Sequence, residues 1–123
     1  MFSTFTVKKA DGTTDVVYSL QGTASESAAY IDKSSSLAAP RTVKISHSIK
    51  PIGSSGSDRH TVLVQSVIQD ANGVSHVISD SRTITVPRSA VATDTLVKDC
   101  IAATTGYFAL SGVIDSLIDG IIP

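Results

Sequence analysis

Hydrophobic and polar positions alternate along two long stretches in the middle of the chain. Residues 59–69 read RHTVLVQSVIQ and residues 74–86 read VSHVISDSRTITV. Asp70-Ala71-Asn72-Gly73 lies between them, and its Asn-Gly pair suits positive φ in a hairpin turn. In the first stretch Val62, Val64 and Ile68 share a face, with Arg59, Thr61, Leu63, Gln65 and Val67 opposite. In the second, Ile78, Ile84 and Val86 share a face, with Ser79, Ser81, Thr83 and Thr85 opposite. Residues 41–50 repeat the pattern: Val43, Ile45, His47 and Ile49 on one side, Thr42, Lys44, Ser46, Ser48 and Lys50 on the other. Three neighbouring strands thus carry one design, aliphatic on one face and hydroxyl or basic on the other.

The flanks follow the same logic. Phe5 and Val7, then Val16, Tyr18 and Leu20, alternate around Asp11-Gly12, which predicts an N-terminal hairpin over 1–20. QGTASES at 21–27 reads as a polar connection, and Ala28 to Asp32 as a short strand with Tyr30 or Ile31 inward. Ser34-Ser35-Ser36 reads as a loop inside one domain. Pro51 ends the 41–50 strand, and Gly53-Ser54-Ser55-Gly56-Ser57 reads as a flexible loop. After Pro87 the period changes. Thr93 or Asp94 can cap a helix with Leu96, Val97, Cys100 and Ile101 as its apolar stripe and Gly106 as its stop. Leu110, Val113, Ile114, Leu117, Ile118 and Ile121 then recur at helical spacing, with Gly120 and Pro123 ending the second helix. The expected class is α+β: an N-terminal hairpin, an antiparallel sheet over 28–87 and two C-terminal helices over 93–121, in a single domain of residues 1–123.

Composition sharpens this. The chain is 41% hydrophobic but has only three Phe, three Tyr and no Trp, so a core of Val, Ile, Leu and Ala is expected. Such a core is thin, and nothing else in the sequence is long enough to cover the sheet's second face, which points to oligomerisation. Net charge is −1, yet residues 41–61 carry a net +3 and residues 90–123 a net −3, giving a basic sheet segment and an acidic helical one. One cysteine, Cys100, excludes an intrachain disulfide and reads as an inert core thiol. Phe5-Thr6-Val7 is strand-like and no apolar h-region precedes it, and no apolar run reaches the ~18–20 residues of a membrane span. A soluble intracellular product is expected.

Catalytic signals are weak. His47, His60 and His76 are far apart and lack Cys or carboxylates at metal-ligand spacing, so they read as unrelated sheet histidines. No strand–turn–helix elbow holds a serine, which argues against a hydrolase. GSSGS lacks the Gly-Lys-Ser/Thr ending of a phosphate-binding loop. Neither an enzymatic activity nor a cofactor is expected. The one constellation with functional content is the hydroxyl-and-lysine face. Its Ser and Thr groups donate and accept, and Lys44, Lys50 and Arg59 supply the charge that phosphate contacts need.

The order of elements resembles the coat proteins of single-stranded RNA bacteriophages. The resemblance rests on Thr83-Ile84-Thr85-Val86-Pro87 followed by Ala92-Thr93-Asp94 and Leu96-Val97-Lys98, with Val43-Lys44-Ile45-Ser46, Ala29-Tyr30-Ile31 and the Ser54-to-Arg59 loop in support. It covers nearly the whole chain. It implies an interlocked dimer with a continuous sheet, each subunit's helices lying across its partner's sheet, and an icosahedral shell whose inner sheet face binds and packages single-stranded genomic RNA. On that resemblance the RNA-facing positions are Lys44, Ser46, Ser48, Lys50, Arg59, Thr61, Leu63, Gln65, Ser79, Ser81, Thr83 and Thr85. The dimer interface takes Leu96, Val97, Ile101, Leu110, Val113, Ile114, Leu117 and Ile118. The implied partners are a second copy and single-stranded RNA, with no membrane and no small-molecule substrate. The implied location is the virion, assembled in the bacterial host cytoplasm. Ser79 stands where some relatives carry a base-stacking tyrosine, Leu63 replaces a polar group, and the 70–73 loop is short and has no Cys for an inter-subunit disulfide. The rival reading is a non-viral dimeric β-sheet interaction module without RNA binding.

Overall fold

The computed structural model describes residues 1–51 and 53–122. Six strands form one sheet in chain order, every neighbouring pair antiparallel: β1 (Thr4–Lys8), β2 (Asp15–Ala24), β3 (Ser27–Asp32), β4 (Arg41–Ser48), β5 (Ser57–Gln69) and β6 (Ser75–Pro87). Two helices follow, α1 (Asp94–Ala109) and α2 (Val113–Ile118). None of the described helices is long and apolar enough to cross a membrane.

Turn chemistry sets the hairpins. At the first, Asp11 Oδ1 accepts from the Thr13 and Thr14 amides and Gly12 takes φ 73°. At the β5–β6 turn, Asp70 Oδ1 accepts from Asn72 N and Val74 N, and Gly73 alone takes positive φ, at 79°. Asn72 does not take the left-handed conformation that its Asn-Gly pair suggested. The Asp70–Val74 backbone bond closes a three-residue loop, which needs a left-handed residue only at its last position.

Residues 21–27 are not a connection. Gly22, Thr23 and Ala24 pair with Ala29, Ala28 and Ser27, and the register shifts between Leu20 and Gly22. The bulge absorbs one residue, so parity switches there: Leu20 and Thr23 share the face of their partners Tyr30 and Ala28. Small polar residues hold strand geometry here because β3 supplies partners for their backbone.

The helices also end differently from the sequence expectation. Thr93 caps α1, its hydroxyl accepting from Leu96 N at 3.4 Å. Gly106 does not stop the helix. Its φ is not positive, and it is carried as a helical residue at a cost of ~1 kcal/mol relative to Ala. The break falls at Leu110, which is extended, and at Gly112, at φ 79°. Leu110 and Ile121 lie outside α2. Gly120 N bonds to Leu117 O and Ile121 N to Ser116 O, a Schellman ending that closes α2 after six residues. The expected stop at Pro123 lies outside the described residues.

The core sits on the β1–β4 half of the sheet. Val16, Tyr18, Ala28, Tyr30 and Val43 are buried, with Phe5, Leu20 and Ile45 packed against them. It is centred on aromatics rather than being purely aliphatic. Phe5 stacks on Tyr18 at 5.3 Å and meets Tyr30 edge-on at 4.9 Å. The Tyr30 hydroxyl donates to Phe2 O at 3.1 Å. Asp32 is buried at the margin of this core. Arg41 Nε reaches it at 2.8 Å, and Ser34 donates to it from both its amide and hydroxyl. The Ser34 bonds, with help from Arg41, hold the Asp32 carboxyl below its ordinary value despite burial.

Candidate nucleic-acid interface

Strand parity sorts the side chains of β4, β5 and β6 into two faces. One face carries Val43, Ile45 and His47, then Asp58, His60, Val62 and Val64, then Asp80, Arg82, Ile84 and Val86. The other carries the expected hydroxyl and basic groups, and the register sets them in cross-strand rows. Ser48, Arg59 and Thr85 form one row, and Ser46, Thr61 and Thr83 the next. Lys44, Leu63 and Ser81 form the third, and Thr42, Gln65 and Ser79 the fourth. Rows of this kind repeat every ~6.8 Å along the strands. Thr61 Oγ1 and Thr83 Oγ1 are 3.1 Å apart, so one hydroxyl donates to the other. Ser46, Thr61, Leu63 and Gln65 are half-buried, and the other strand residues expected at the site are exposed.

Eleven of the twelve expected RNA-facing residues therefore share one face, and Lys50 does not. β4 ends at Ser48, so Ile49 and Lys50 are not strand residues. Lys50 N donates to Asp58 Oδ1 at 2.8 Å and its carbonyl accepts from Arg88, which turns the chain out of the sheet. Arg59 lies in β5, as the 59–69 alternation expected, and the strand begins two residues earlier, at Ser57. Thr42 completes the fourth row; its parity with Lys44 carried that signal in the sequence.

The same parity separates the charges. On β4–β6 the hydroxyl face holds Lys44 and Arg59 and no carboxylate, because Asp58 and Asp80 project on the other side. Asp58 accepts from Arg88 Nε at 3.0 Å as well as from Lys50 N. These bonds, the Lys50 amide first, hold its carboxyl below the ordinary range. Arg41, counted with the basic segment, belongs to Asp32 on the core side. The net positive field of this segment is thus narrower than its composition, but it is concentrated on the hydroxyl face.

The opposite face also carries Asp58, Asp80 and Arg82, but beside them it holds an open apolar groove. Phe2, Val7, Val43, Ile45, Val62 and Val64 line a groove of about 390 Å³. Val62, Val64 and Ile78 are all substantially exposed. The helices do not cover this face. α1 buries none of its residues, and Leu96, Ile101, Leu110, Ile114, Leu117 and Ile118 are exposed, Ile118 at 77%. Val97 is half-buried, and Val113 is buried within its own chain. Cys100 is exposed rather than a core thiol; it lies beside Ile84 and Thr85 where α1 passes β6. There Arg82 sits over the Phe108 ring at 4.8 Å.

No protein-family model matches the chain, and no curated protein matches it by sequence. Solved structures do match. The virus-like particle of Beihai levi-like virus 21 superposes with a TM-score of 0.73 at 12% identity, covering 98% of this chain and 95% of that one. The bacteriophage GA capsid protein superposes with a TM-score of 0.68 at 18% identity, covering 96% and 94%. The chain has the levivirus-like phage coat-protein fold. A third match is an unassembled, RNA-binding bacteriophage coat protein dimer, with a TM-score of 0.66 at 16% identity, covering 96% and 93%. The coat-protein fold thus spans the chain from its N-terminal hairpin to α2. At these identities the likeness rests on strand order, sheet parity and the terminal helices, as the sequence pattern anticipated.

Proposed function

We propose that this chain is a phage capsid subunit that dimerises, assembles into an icosahedral shell and packages single-stranded RNA on its hydroxyl face. The carrying observation is a pair of unsatisfied apolar surfaces on one chain: the open sheet face at Val62, Val64 and Ile78, and the exposed stripe of α1 and α2. A second copy satisfies both if its helices lie across the first copy's sheet. The stripe Leu110, Ile114, Leu117 and Ile118 with Leu96 and Ile101 then becomes interface. At ~1.5–3 kcal/mol per fully buried aliphatic, these six groups contribute on the order of 10 kcal/mol before ordering costs. The coat-protein fold, found in virus-like particles and in a coat protein dimer, supports the same arrangement.

Covering the apolar face leaves the hydroxyl face as the open one. Lys44 and Arg59 supply phosphate contacts, while Ser46, Thr61, Gln65, Ser81, Thr83 and Thr85 offer donors and acceptors to sugars and base edges. Lys50 can reach the same RNA only from the rim. With Ser79 in place of an aromatic, binding rests on charge and hydroxyls rather than on stacked bases. The chain performs no catalysis in this reading, its partners are a second copy and RNA, and its location is the virion, assembled in the bacterial cytoplasm.

The test is expression followed by sedimentation and electron microscopy. Closed particles containing RNA are expected. A monomer that persists at high concentration without particles would overturn the capsid role. Empty particles would retain the shell and reject RNA packaging.

A further inference from the structure

Two of the three histidines meet across the sheet, while His76 on β6 pairs with Asp70 at 3.1 Å instead. His47 and His60 are cross-strand partners on β4 and β5, with ring centroids 4.9 Å apart and Nδ1 atoms 2.8 Å apart. His47 is exposed and His60 half-buried. The pair projects on the face opposite the hydroxyl rows, one cross-strand row beyond Val62, so it points away from the proposed RNA surface.

We propose that His47 and His60 form a binding site for a tetragonal divalent transition-metal ion, Cu(II) or Ni(II), through both Nδ1 atoms. Two nitrogens at a cis right angle around a metal, with bonds of ~2.0–2.1 Å, are about 2.9 Å apart; a tetrahedral pair is about 3.3–3.4 Å apart. The observed separation fits the right angle, the geometry of square-planar and tetragonal centres, and imidazole suits copper and nickel. In the metal-free pair one Nδ1–H donates to the other nitrogen. Binding moves that proton to the ring's Nε2, so both Nδ1 lone pairs face the metal and the imidazoles stay neutral. His47 is anchored by its backbone amide, which donates to Glu26 O at 2.8 Å, so the site stands on paired strands. Asp58 lies two residues from His60 on the same face, but its Oδ1 is held by Lys50 N and Arg88 Nε. Among the described residues no three His, Cys, Asp or Glu groups converge as a metal site. In the single chain, where His47 is exposed, the remaining positions therefore belong to solvent, which a tetragonal ion accepts more readily than a closed structural zinc site does.

Titration of the full chain with NiCl2, followed by calorimetry, tests the site without copper–thiol redox chemistry. A Cys100→Ser background removes the exposed thiol as a competing ligand. One ion per chain is expected, with a raised melting temperature. Two ligands held together bind ~10²-fold or more tightly than one, so His47→Gln or His60→Gln should weaken binding about 100-fold, while His76→Gln should leave it unchanged. Equal binding by the His47→Gln/His60→Gln double variant would overturn the proposal and place the metal elsewhere, such as at the Met1 amine. The Cu(II) electron paramagnetic resonance spectrum of the Cys100→Ser chain gives a readout that needs no histidine variant to fold. Hyperfine structure from two imidazole nitrogens supports the site, and one or none rejects it.

Discussion

Strands β1–β4 and strands β5–β6 belong to one sheet but solve the problem of their apolar face in opposite ways. The first half closes on itself. Phe5 comes from β1, Tyr18 from β2 and Tyr30 from β3, and they cover one another and Val43 within the chain. The second half leaves Val62, Val64, Ile68 and Ile78 exposed, Ile78 at 62%. The helices that follow β6 keep their own aliphatics exposed as well. One half builds a core within the chain, and the other presents two apolar surfaces that the single chain leaves open. The comparison predicts that substitutions in the two halves fail differently.

The largest effect is expected at Tyr30, only 2% exposed, whose ring meets Phe5 and whose hydroxyl donates to Phe2 O. Tyr30→Ala should cost about 3–5 kcal/mol, as other aromatic-to-alanine core changes do. The chain should lose cooperative unfolding in urea at every protein concentration. A variant that melts like wild type would mean that the β1–β4 half is not an independent core.

Ile114→Asp probes the other half. Ile114 is exposed in the single chain, so the change leaves the monomer's own core intact. In an interlocked dimer it buries an unpaired charge, which costs several kcal/mol. The wild-type melting temperature should rise with protein concentration, because folding and association are then one event. The variant should lose particles and show a lower melt. A variant that still forms particles, together with a concentration-independent wild-type melt, would remove α2 from the interface.

These two halves are unequally legible in the sequence. Period-two alternation assigns every face of β4–β6, because parity alone decides which side a strand residue takes. The membership of the hydroxyl face is therefore written in the alternation itself. Segment ends are not. QGTASES becomes strand because pairing with β3 outweighs weak local propensity, and Lys50 leaves the sheet because Asp58 captures its amide. Gly106 stays helical while Gly112 takes the left-handed turn, a choice that composition does not distinguish. The Asp32–Arg41 pair, and the meeting of His47 with His60, depend on register across strands, which no local pattern carries. The exposure of Cys100 depends on where α1 passes β6, which the helical stripe does not reveal.

A medium effect is expected from acid. Ser34 and Arg41 hold the Asp32 carboxyl below its ordinary value, and Lys50 and Arg88 do the same at Asp58. A carboxylate depressed in the folded state contributes stability that is complete above its unfolded pKa of ~3.9. That contribution is lost as pH falls through the lower folded value. Thermal stability should therefore drop from about pH 4 downward. Asp32→Asn should be less stable than wild type at neutral pH and show a shallower acid slope, since it removes one titrating group from the β1–β4 half. Parallel pH profiles for the two proteins would detach Asp32 from acid stability.

The smallest stability effects, and the finest test of the open face, come from comparing charge with hydroxyl there. Lys44 and Thr61 stand in adjacent rows, yet they should act differently on RNA. If Lys44 contacts a phosphate, Lys44→Ala should weaken binding to unrelated RNAs alike and lower the salt slope by roughly one unit or less. Lys50→Ala, on the rim, should have a smaller effect, because its backbone is committed to Asp58 and Arg88. Thr61→Ala removes one partner of the 3.1 Å hydroxyl pair with Thr83. A cross-strand pair of this kind contributes roughly 0.2–1 kcal/mol, so the fold should barely change. The salt slope should stay at its wild-type value, because no charge is lost. Preference among RNA hairpins should shift, because the freed Thr83 hydroxyl can turn to a different acceptor. Filter binding at several salt concentrations, on a panel of hairpins, separates the two outcomes. If Thr61→Ala leaves both the salt slope and the preference among hairpins unchanged, the hydroxyl rows hold no readout of their own and the face binds RNA through its charge alone.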